Sequence, residues 1–238
     1  MGVADRELVL RTFLFTDIEG STRLWQDAAD AMSVALARHD ELIAGSVAQC
    51  SGELVKSGSR GDAALAAFTD ASAALRCAVS IQRAFAGELW PEGATLRVRS
   101  AVHTGAAESR DGDYFGTTLN RAARLLALAH GGQTIASAAA VEAIGASLPA
   151  GVELLDLGEH VLKDLYEPER VFQIRADGLR RAFAPLASAQ PRTHNLPAQL
   201  SSFVGRDHEL GELDDLVSSS RLVTITGIGG TGKTRLAV

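Results

Sequence analysis

The chain is poor in residues that mark several classes of protein. It has two cysteines, six prolines and 5% aromatic residues among 238, and its net charge is −6. The cysteines, Cys50 and Cys77, lack CxxC spacing and stand in helix-like sequence, which favours reduced thiols over a disulfide or a zinc site. The 23 Lys and Arg residues are scattered. The sequence therefore has no basic stripe for a phosphate backbone and predicts no contact with nucleic acid.

Long apolar runs are also missing. No run approaches the roughly 18 residues that a membrane span needs. The N-terminal sequence MGVADRELVL has no basic region followed by an apolar one. We therefore expect a cytoplasmic protein without a membrane contact. The length suits one domain of roughly 150 to 200 residues and part of a second.

Short strand-like runs alternate with longer helical ones. Helical spacing predicts helices over 31–50, over 71–85 and from about Gly116 to the stop signal Gly131–Gly132. This order predicts an α/β (α+β) fold, with helices on one face of a mixed, largely antiparallel sheet. Runs rich in Val, Leu and Phe predict its strands near residues 8–16, 52–56, 62–68, 95–104, 133–136, 152–157 and 170–175.

The pattern changes after about residue 175. Residues 176–200 hold three of the six prolines without a clear period, which predicts an interdomain linker. The sequence SSFVGRDHELGELDDLV predicts a helix, RLVTIT predicts a strand, and GIGGTGKT matches the P-loop pattern GxxxxGK[ST]. A P-loop cradles nucleotide phosphates, with its lysine as counter-charge and its threonine on magnesium. Its candidate nucleotide-binding residues are Gly227, Gly229, Gly230, Gly232, Lys233 and Thr234.

Two aspartates stand at the ends of predicted strands. Asp17 follows the apolar run FLFT, and Asp62 precedes the run ALAAF. Neighbouring strands of one sheet would bring both carboxylates to the same edge, where paired oxygens suit a hard divalent cation. Taken singly, each aspartate is better explained as a turn residue or a helix cap.

Two polar residues share a face of the predicted helix after Gly116. Asn120 and Arg124 are four residues apart, so their side chains project to the same side. The planar fork of arginine suits phosphate, and an asparagine one turn earlier can hold a sugar oxygen. An exposed helix with solvated polar groups would show the same spacing.

Four segments, in this order and spacing, resemble the catalytic domain of class III nucleotide cyclases, the adenylyl and guanylyl cyclases. They are FTDIEGSTRLW at 15–25, GDAALAAF at 61–68, VHTG at 102–105 and DYFGTTLNRAARL at 113–125. The segment at 156–174 is similar to the tail of such domains fused to ATPase regulators. The resemblance implies a ferredoxin-like core and a head-to-tail homodimer with shared active sites. It gives a cyclase domain over 1–175, a linker over 176–200 and, over 201–238, a truncated P-loop domain that resembles the ATPase module of STAND-type (NB-ARC) regulators.

The resemblance also implies roles for matching residues. Asn120 matches the asparagine that orients ribose, Arg124 the arginine that stabilises the transferring phosphoryl group, and Asp113 the acid that pairs with the adenine amino group. Two Mg²⁺ or Mn²⁺ ions would activate the ribose 3′-hydroxyl of ATP, or of GTP, for attack on the α-phosphorus. The metal site would comprise Asp17, Ile18 and Asp62, and the triphosphate contacts Ile18, Glu19, Gly20, Ser21 and Thr22.

The sequence departs from the family at the residue that reads the base. The family has a lysine four residues before the second metal aspartate, where this chain has Gly58. Lys56 stands six residues before Asp62, so either a longer loop still delivers Lys56 or base recognition is weakened. Arg60 is a third candidate for this contact.

Three functions are compatible with these features. The first is a purine nucleotide cyclase that makes cyclic AMP, since Asp113 is retained. The second is a regulatory module that dimerises and holds nucleotide without turnover, which the altered VKSGSRGD loop favours. The third is an ATPase fragment in which the P-loop is the active feature.

Overall fold

The computed structural model describes residues 7–56, 62–110, 112–146, 148–165, 167–186, 207–227 and 233. Strands and helices alternate along this part of the chain, largely as the apolar pattern predicts. They are β1 Glu7–Ile18, α1 Ser21–Asp27, α2 Ala29–Gln49, β2 Glu53–Lys56, β3 Ala64–Phe68, α3 Ala71–Gly87, β4 Val98–Arg110, β5 Asp113–Phe115, α4 Thr117–Leu126, β6 Thr134–Ser137, α5 Ala138–Ile144, β7 Val152–His160, β8 Glu169–Ala176 and α6 Asp207–Ser219.

The described strands form one sheet of eight, in the order β2-β3-β1-β4-β6-β8-β7, with β5 paired to β4. Strand β4 runs parallel to β6, and the other pairs are antiparallel. The mixed α/β fold and its largely antiparallel sheet are thus as predicted. The central pair, β1 and β4, aligns twelve residues from Glu7↔Ser109 to Ile18↔Val98.

Helices cover both faces of the sheet, so the prediction of helices on one face is wrong. Leu14 and Ile18 of β1 belong to an apolar cluster with α2, α3 and α5. Phe13, on the opposite face, packs with Leu65 and Tyr114 in a cluster that Leu119 of α4 joins. Because strand side chains alternate between faces and both sets here are apolar, each face needs its own cover.

Helix α4 is shorter than predicted, and two short elements are additional. The helix ends at Leu126 rather than near Gly131, because tighter bonds from the Leu128 and Ala129 N–H groups to carbonyls three residues earlier close its last turn. Strand β5 has three residues and α5 has seven. Elements this short contain too few residues for a period to stand out.

Contacts divide the chain into two units, Met1–Gln190 and Pro191–Val238. The first unit therefore extends past residue 175 into the predicted linker. Leu179 and Leu186 pack against its apolar clusters, and the Gln173 side chain donates to the Arg181 carbonyl at 2.9 Å. These apolar and polar contacts hold the first residues of the predicted linker against the domain.

In the second unit, α6 forms over the predicted helix, but RLVTIT is not a strand. No neighbouring strand is present among its described residues, and an isolated strand leaves its backbone groups unpaired. No helix in the described part of the chain is long and apolar enough to cross a membrane. In the first unit, Cys50 and Cys77 are free thiols, of which Cys77 is buried and Cys50 is half-buried.

Candidate active site

The two predicted metal ligands lie at the same end of neighbouring strands. Thr16 of β1 pairs with Ala64 of β3. Asp17 is one residue beyond this pair along β1, and Asp62 is two residues before it on the approach to β3. Asp62 is half-buried and has no hydrogen bond or ion pair with another described residue. The sheet therefore brings both carboxylates to one edge.

The carboxylate of Asp17 forms an ion pair with the side chain of Arg99. Arg99, directly opposite it on β4, donates from Nε to Oδ2 at 2.9 Å and contacts the same oxygen through Nη2. The Asp17 side chain is 18% exposed and that of Arg99 is 30% exposed. Both contacts fall on Oδ2, so neither of them occupies Oδ1.

The turn after β1 is held by its own hydrogen bonds. Gly20 has φ of 70°, a conformation that glycine adopts without steric cost, and its carbonyl accepts from the Arg23 and Leu24 N–H groups at the start of α1. The Glu19 N–H donates to Arg97 O at 2.9 Å, and its carboxylate accepts from the Gly131 N–H at 2.8 Å. Glu19 therefore fixes the turn and does not present its amide to a phosphate.

The remaining predicted phosphate contacts lie beside Glu19 in the same turn. Ile18 is buried in the core, so only its backbone can contribute to a site. The N–H groups of Ser21 and Thr22, in the first turn of α1, have no hydrogen-bond partner in the described part of the chain. The turn can therefore offer these two donors.

The out-of-register lysine reaches the predicted base-pairing acid. Lys56 Nζ lies 2.9 Å from Asp113 Oδ2, with the two side chains 60% and 30% exposed. The pairing of β2 with β3 shifts by one residue between Leu54 and Lys56. A one-residue shift turns a strand side chain to the opposite face of the sheet. This bulge puts Lys56 on the face of the sheet that α4 covers.

The surroundings of Asp113 favour its charged form. Partial burial alone would raise the pKa of Asp113. Hydrogen bonds from the Lys56 side chain and the Tyr114 N–H, together with the charges of Lys56 and Arg110, hold that pKa below its ordinary value. The pair is thus an ammonium donor next to a carboxylate acceptor, a combination that can read the polar edge of a purine.

A cavity of about 260 Å³ adjoins Lys56. Asn120 lines it from α4, and Phe15 and Leu65 line it from β1 and β3, so it combines apolar walls with an amide and an ammonium group. Its remaining lining residues are Ala63, Ala64, Leu119 and Ala123. The structure thus brings Lys56, Asp113 and Asn120 into one region.

Arg124 is exposed on the same helix as Asn120 and pairs with Asp164 at 2.9 Å, with exposed fractions of 44% and 63%. Such an exposed pair contributes little stability and exchanges readily. Neither the Asp164 contact nor the Arg99 contact with Asp17 was predicted. Both join residues far apart in sequence, and only the strand register could have indicated the second.

The described part of the P-loop is limited to Gly227 and Lys233. Gly227 has φ of 157° and Lys233 is half-buried. Gly229, Gly230, Gly232 and Thr234 lie outside the described residues, as do Gly58 and Arg60 of the loop before Asp62.

No family model matches the chain. It is 41% identical over 196 residues to the uncharacterized protein Rv0891c of Mycobacterium tuberculosis, a match over 82% of this chain and 66% of that protein. The chain thus spans about two thirds of this relative's length. It is 32% identical to the adenylate/guanylate cyclase/hydrolase of Silicibacter pomeroyi, with a TM-score of 0.63 over 73% of this chain and 100% of that one. An adenylate cyclase of Trypanosoma brucei, solved in its monomeric state, is 29% identical, with a TM-score of 0.65 over 75% and 94% of the two chains.

The fold and the site together indicate the class of domain to which the chain belongs. A mixed, largely antiparallel sheet between two layers of helices, with charged and amide groups at one region of its face, is an α/β domain of the kind found in cyclase structures. The 32% identity over the whole Silicibacter chain then narrows the class to one family. The chain belongs to the class III adenylyl/guanylyl cyclases.

Proposed function

We propose that this domain is a purine nucleotide cyclase that converts ATP to 3′,5′-cyclic AMP and pyrophosphate. The observation that carries the proposal is the contact between Lys56 and Asp113 at 2.9 Å, beside a cavity lined by Asn120. The retained acid favours ATP over GTP, because a carboxylate accepts a hydrogen bond from the exocyclic amino group of adenine. The contact supports the alternative in which Lys56 still reaches the base, since a bulge in β2 compensates for the change in spacing.

The carboxylates at the sheet edge fit the divalent ions that this family uses. Asp17 and Asp62 offer oxygen ligands, which Mg²⁺ and Mn²⁺ prefer. Asp17 Oδ1 is available for this contact while Arg99 remains on Oδ2. When bound, two such ions would lower the pKa of the ribose 3′-hydroxyl and offset the charge of the phosphates.

The residues of the chain would position the substrate for an in-line reaction. Lys56 and Asp113 hold the base, and Asn120 orients the ribose so that its 3′-oxygen faces the α-phosphorus. The 3′-hydroxyl would lose its proton to water, its oxygen would form a bond to the α-phosphorus, and the bond from that phosphorus to the bridging oxygen of pyrophosphate would break. Arg124 would exchange Asp164 for the phosphoryl oxygens and stabilise the charge that develops on them. The first turn of α1 would contribute the Ser21 and Thr22 N–H groups to the triphosphate.

We propose a homodimer with shared sites as the active form. An apolar stripe on β1 and β5 supports this assembly, because Leu8, Leu10 and Phe115 are 74%, 68% and 38% exposed. Glu108 of β4 pairs with both Leu8 and Phe115, so these two side chains share a row on one face of the sheet. Neighbouring apolar side chains in water favour burial against a partner.

A regulatory module without turnover is the second candidate. Its support is that the chain itself neutralises two charged site residues, Asp17 through Arg99 and Arg124 through Asp164. A domain held in this state would bind nucleotide weakly and act through dimerisation. An assay for cyclic product separates this candidate from the cyclase.

We further propose that residues 201–238 begin a P-loop ATPase domain of a longer signalling protein. The match of GIGGTGKT to the phosphate-binding pattern, between RLVTIT and TRLAV, is its support. In this reading, the cyclase domain and the ATPase domain belong to one regulator. A longer natural chain that binds ATP through Lys233, and loses this binding in Lys233→Ala, would meet the expectation.

The test is formation of cyclic product by the purified chain with Mn²⁺ and either ATP or GTP. We expect cyclic AMP from the parent and none from Asp17→Ala. Asp27→Ala is the matched control, because Asp27 is the last residue of α1 and forms only an exposed pair with Arg23. A folded parent dimer that forms no product from either nucleotide would refute the cyclase and leave the regulatory module.

A further inference from the structure

Two strands that share no backbone hydrogen bonds are joined by side chains in this domain. In the order of the sheet, β2 and β5 are separated by β3, β1 and β4. Two contacts nevertheless link them. Lys56 of β2 meets Asp113 of β5, and Glu53 of β2 accepts a hydrogen bond from the Tyr114 hydroxyl of β5 at 2.8 Å.

The Tyr114 ring lies in an apolar cluster on one face of the sheet, and its hydroxyl makes this second contact. Tyr114 is 6% exposed and meets Phe13 edge to face, with ring centroids 5.3 Å apart. Leu65, Ala67 and Ala107 complete its apolar surroundings. A buried aromatic ring held in an edge-to-face contact has little freedom to move. Its hydroxyl is therefore a fixed point to which Glu53 binds.

Because of the bulge in β2, the Lys56–Asp113 and Glu53–Tyr114 contacts lie on the same face of the sheet. Glu53 pairs with Ala67, and after the shift Lys56 pairs with Leu65, so both side chains lie on the face that Tyr114 occupies. Without the shift, Lys56 would point to the opposite face of the sheet. The bond from Tyr114 to Glu53 anchors the strand just before the bulge, and Lys56 is the last residue of the strand after it.

The groups around Tyr114 favour a protonated hydroxyl that donates a hydrogen bond. Burial raises the pKa of Tyr114, and the hydrogen bond to Glu53 raises it further, while a hydrogen bond from Arg11 acts in the opposite direction. The phenol is thus protonated at neutral pH and donates to the Glu53 carboxylate. A charged acceptor makes this hydrogen bond stronger than a neutral one.

We propose that Glu53 and Tyr114 are positioning residues that fix Lys56 against Asp113 and thereby set the choice between ATP and GTP. The claim about base choice rests on the proposed cyclase function, whereas the claim about position does not. Neither residue contacts the cavity beside Lys56. They act on the base through the placement of the lysine and the aspartate.

The test uses the whole chain and the variant Tyr114→Phe, which removes only the hydroxyl. We expect the ratio of kcat/KM for ATP over GTP to fall about threefold to tenfold, chiefly through KM for ATP, with kcat within about twofold of the parent. Glu53→Ala should match it, and Glu53→Gln, which keeps an acceptor oxygen, should largely retain the parent's ratio. The control is Thr12→Val, which removes the part-buried hydroxyl bond between Thr12 of β1 and Thr104 of β4 at 2.8 Å and leaves both links between β2 and β5 in place.

A second readout needs no catalysis. The pKa of the Asp113 carboxyl, followed by carbon NMR with an Asp113→Asn chain to assign the signal, should rise toward the ordinary value in Tyr114→Phe, because Lys56 is no longer held beside it. An unchanged Asp113 pKa in a folded Tyr114→Phe chain would overturn the positioning role, whether or not the parent is active. A raised pKa with an unchanged nucleotide ratio would overturn the link to base choice. If the parent forms no cyclic product, the proposed function fails, and the NMR measurement still decides the positioning role.

Discussion

The ion pair between Arg99 and Asp17 predicts that the protein itself competes with metal ions for the first carboxylate. Arg99 places two donors on one oxygen of Asp17, and the pair is mostly shielded from water, with 30% and 18% of the side chains exposed. Replacing Arg99 by Gln removes one positive charge from this edge of the sheet and leaves both Asp17 oxygens available. We therefore expect Arg99→Gln to bind Mn²⁺ more tightly than the parent when no nucleotide is present.

The expected magnitude follows from Coulomb's law. Charges of +1 and +2 about 5 Å apart repel by roughly 1.7 kcal/mol at the dielectric constant of water, and by more in a partly buried site. At about 1.4 kcal/mol per factor of ten, removal of the arginine should tighten Mn²⁺ binding by at least about tenfold. The partial exposure of the pair keeps the estimate near this lower value rather than at the value for a dry interior.

Electron paramagnetic resonance of free Mn²⁺ measures this affinity directly. The matched control is Arg170→Gln, because Arg170 binds Asp156 with the same two donors on one oxygen but lies on β8, away from the predicted metal edge. Asp17→Asn should lose the tight site in either background. Unchanged or weaker Mn²⁺ binding in a folded Arg99→Gln chain would refute the competition. Mn²⁺ binding that survives Asp17→Asn would remove Asp17 from the metal site.

Two further predictions concern base choice and pH. Lys56→Ala removes a pair with Asp113 that is largely exposed, so the free energy of unfolding should fall by at most about 1 kcal/mol and the Tm by at most about 4 °C. The loss of one hydrogen bond to the base should nevertheless change the kcat/KM ratio of ATP to GTP by roughly 2- to 12-fold, and an unchanged ratio would remove Lys56 from recognition. Burial lowers the pKa of His103, so the unfolded chain binds a proton that the folded chain releases. Its contribution to stability is complete above the ordinary pKa of roughly 6.5 and decreases as the pH falls below it, so His103→Gln should flatten the dependence of Tm on pH between about 5 and 7. The same slope in parent and variant would show that another group titrates.

The sheet could be predicted from sequence because its strands carry their own signal. Strand β1 alternates buried residues toward two apolar layers, and α3 starts with Asp70, whose carboxylate accepts from two N–H groups of the first turn. Such local features determine element type. The second layer of helices was missed, because the continuous apolar run of β1 indicates burial on both faces but does not say which elements cover each face.

The residues of the candidate site could be predicted from sequence, but the contacts between them could not. The spacing of Asn120 and Arg124 gives their common helix face directly. The bulge that delivers Lys56 to Asp113 depends on how β2 pairs with β3, and the arginine on Asp17 depends on the register of β1 with β4. Register is a property of the assembled sheet, so these contacts appear only once the strands are paired.

The complementation of two inactive variants tests the shared-site cyclase most directly. Asp17→Ala and Arg124→Ala should each form no cyclic AMP from ATP and Mn²⁺. In an equimolar mixture, half of the dimers contain one of each, and each such dimer keeps one intact site, so about a quarter of the parent's activity should return. A mixture that stays inactive, although the parent turns over and the variants exchange subunits, would contradict a site built from both chains.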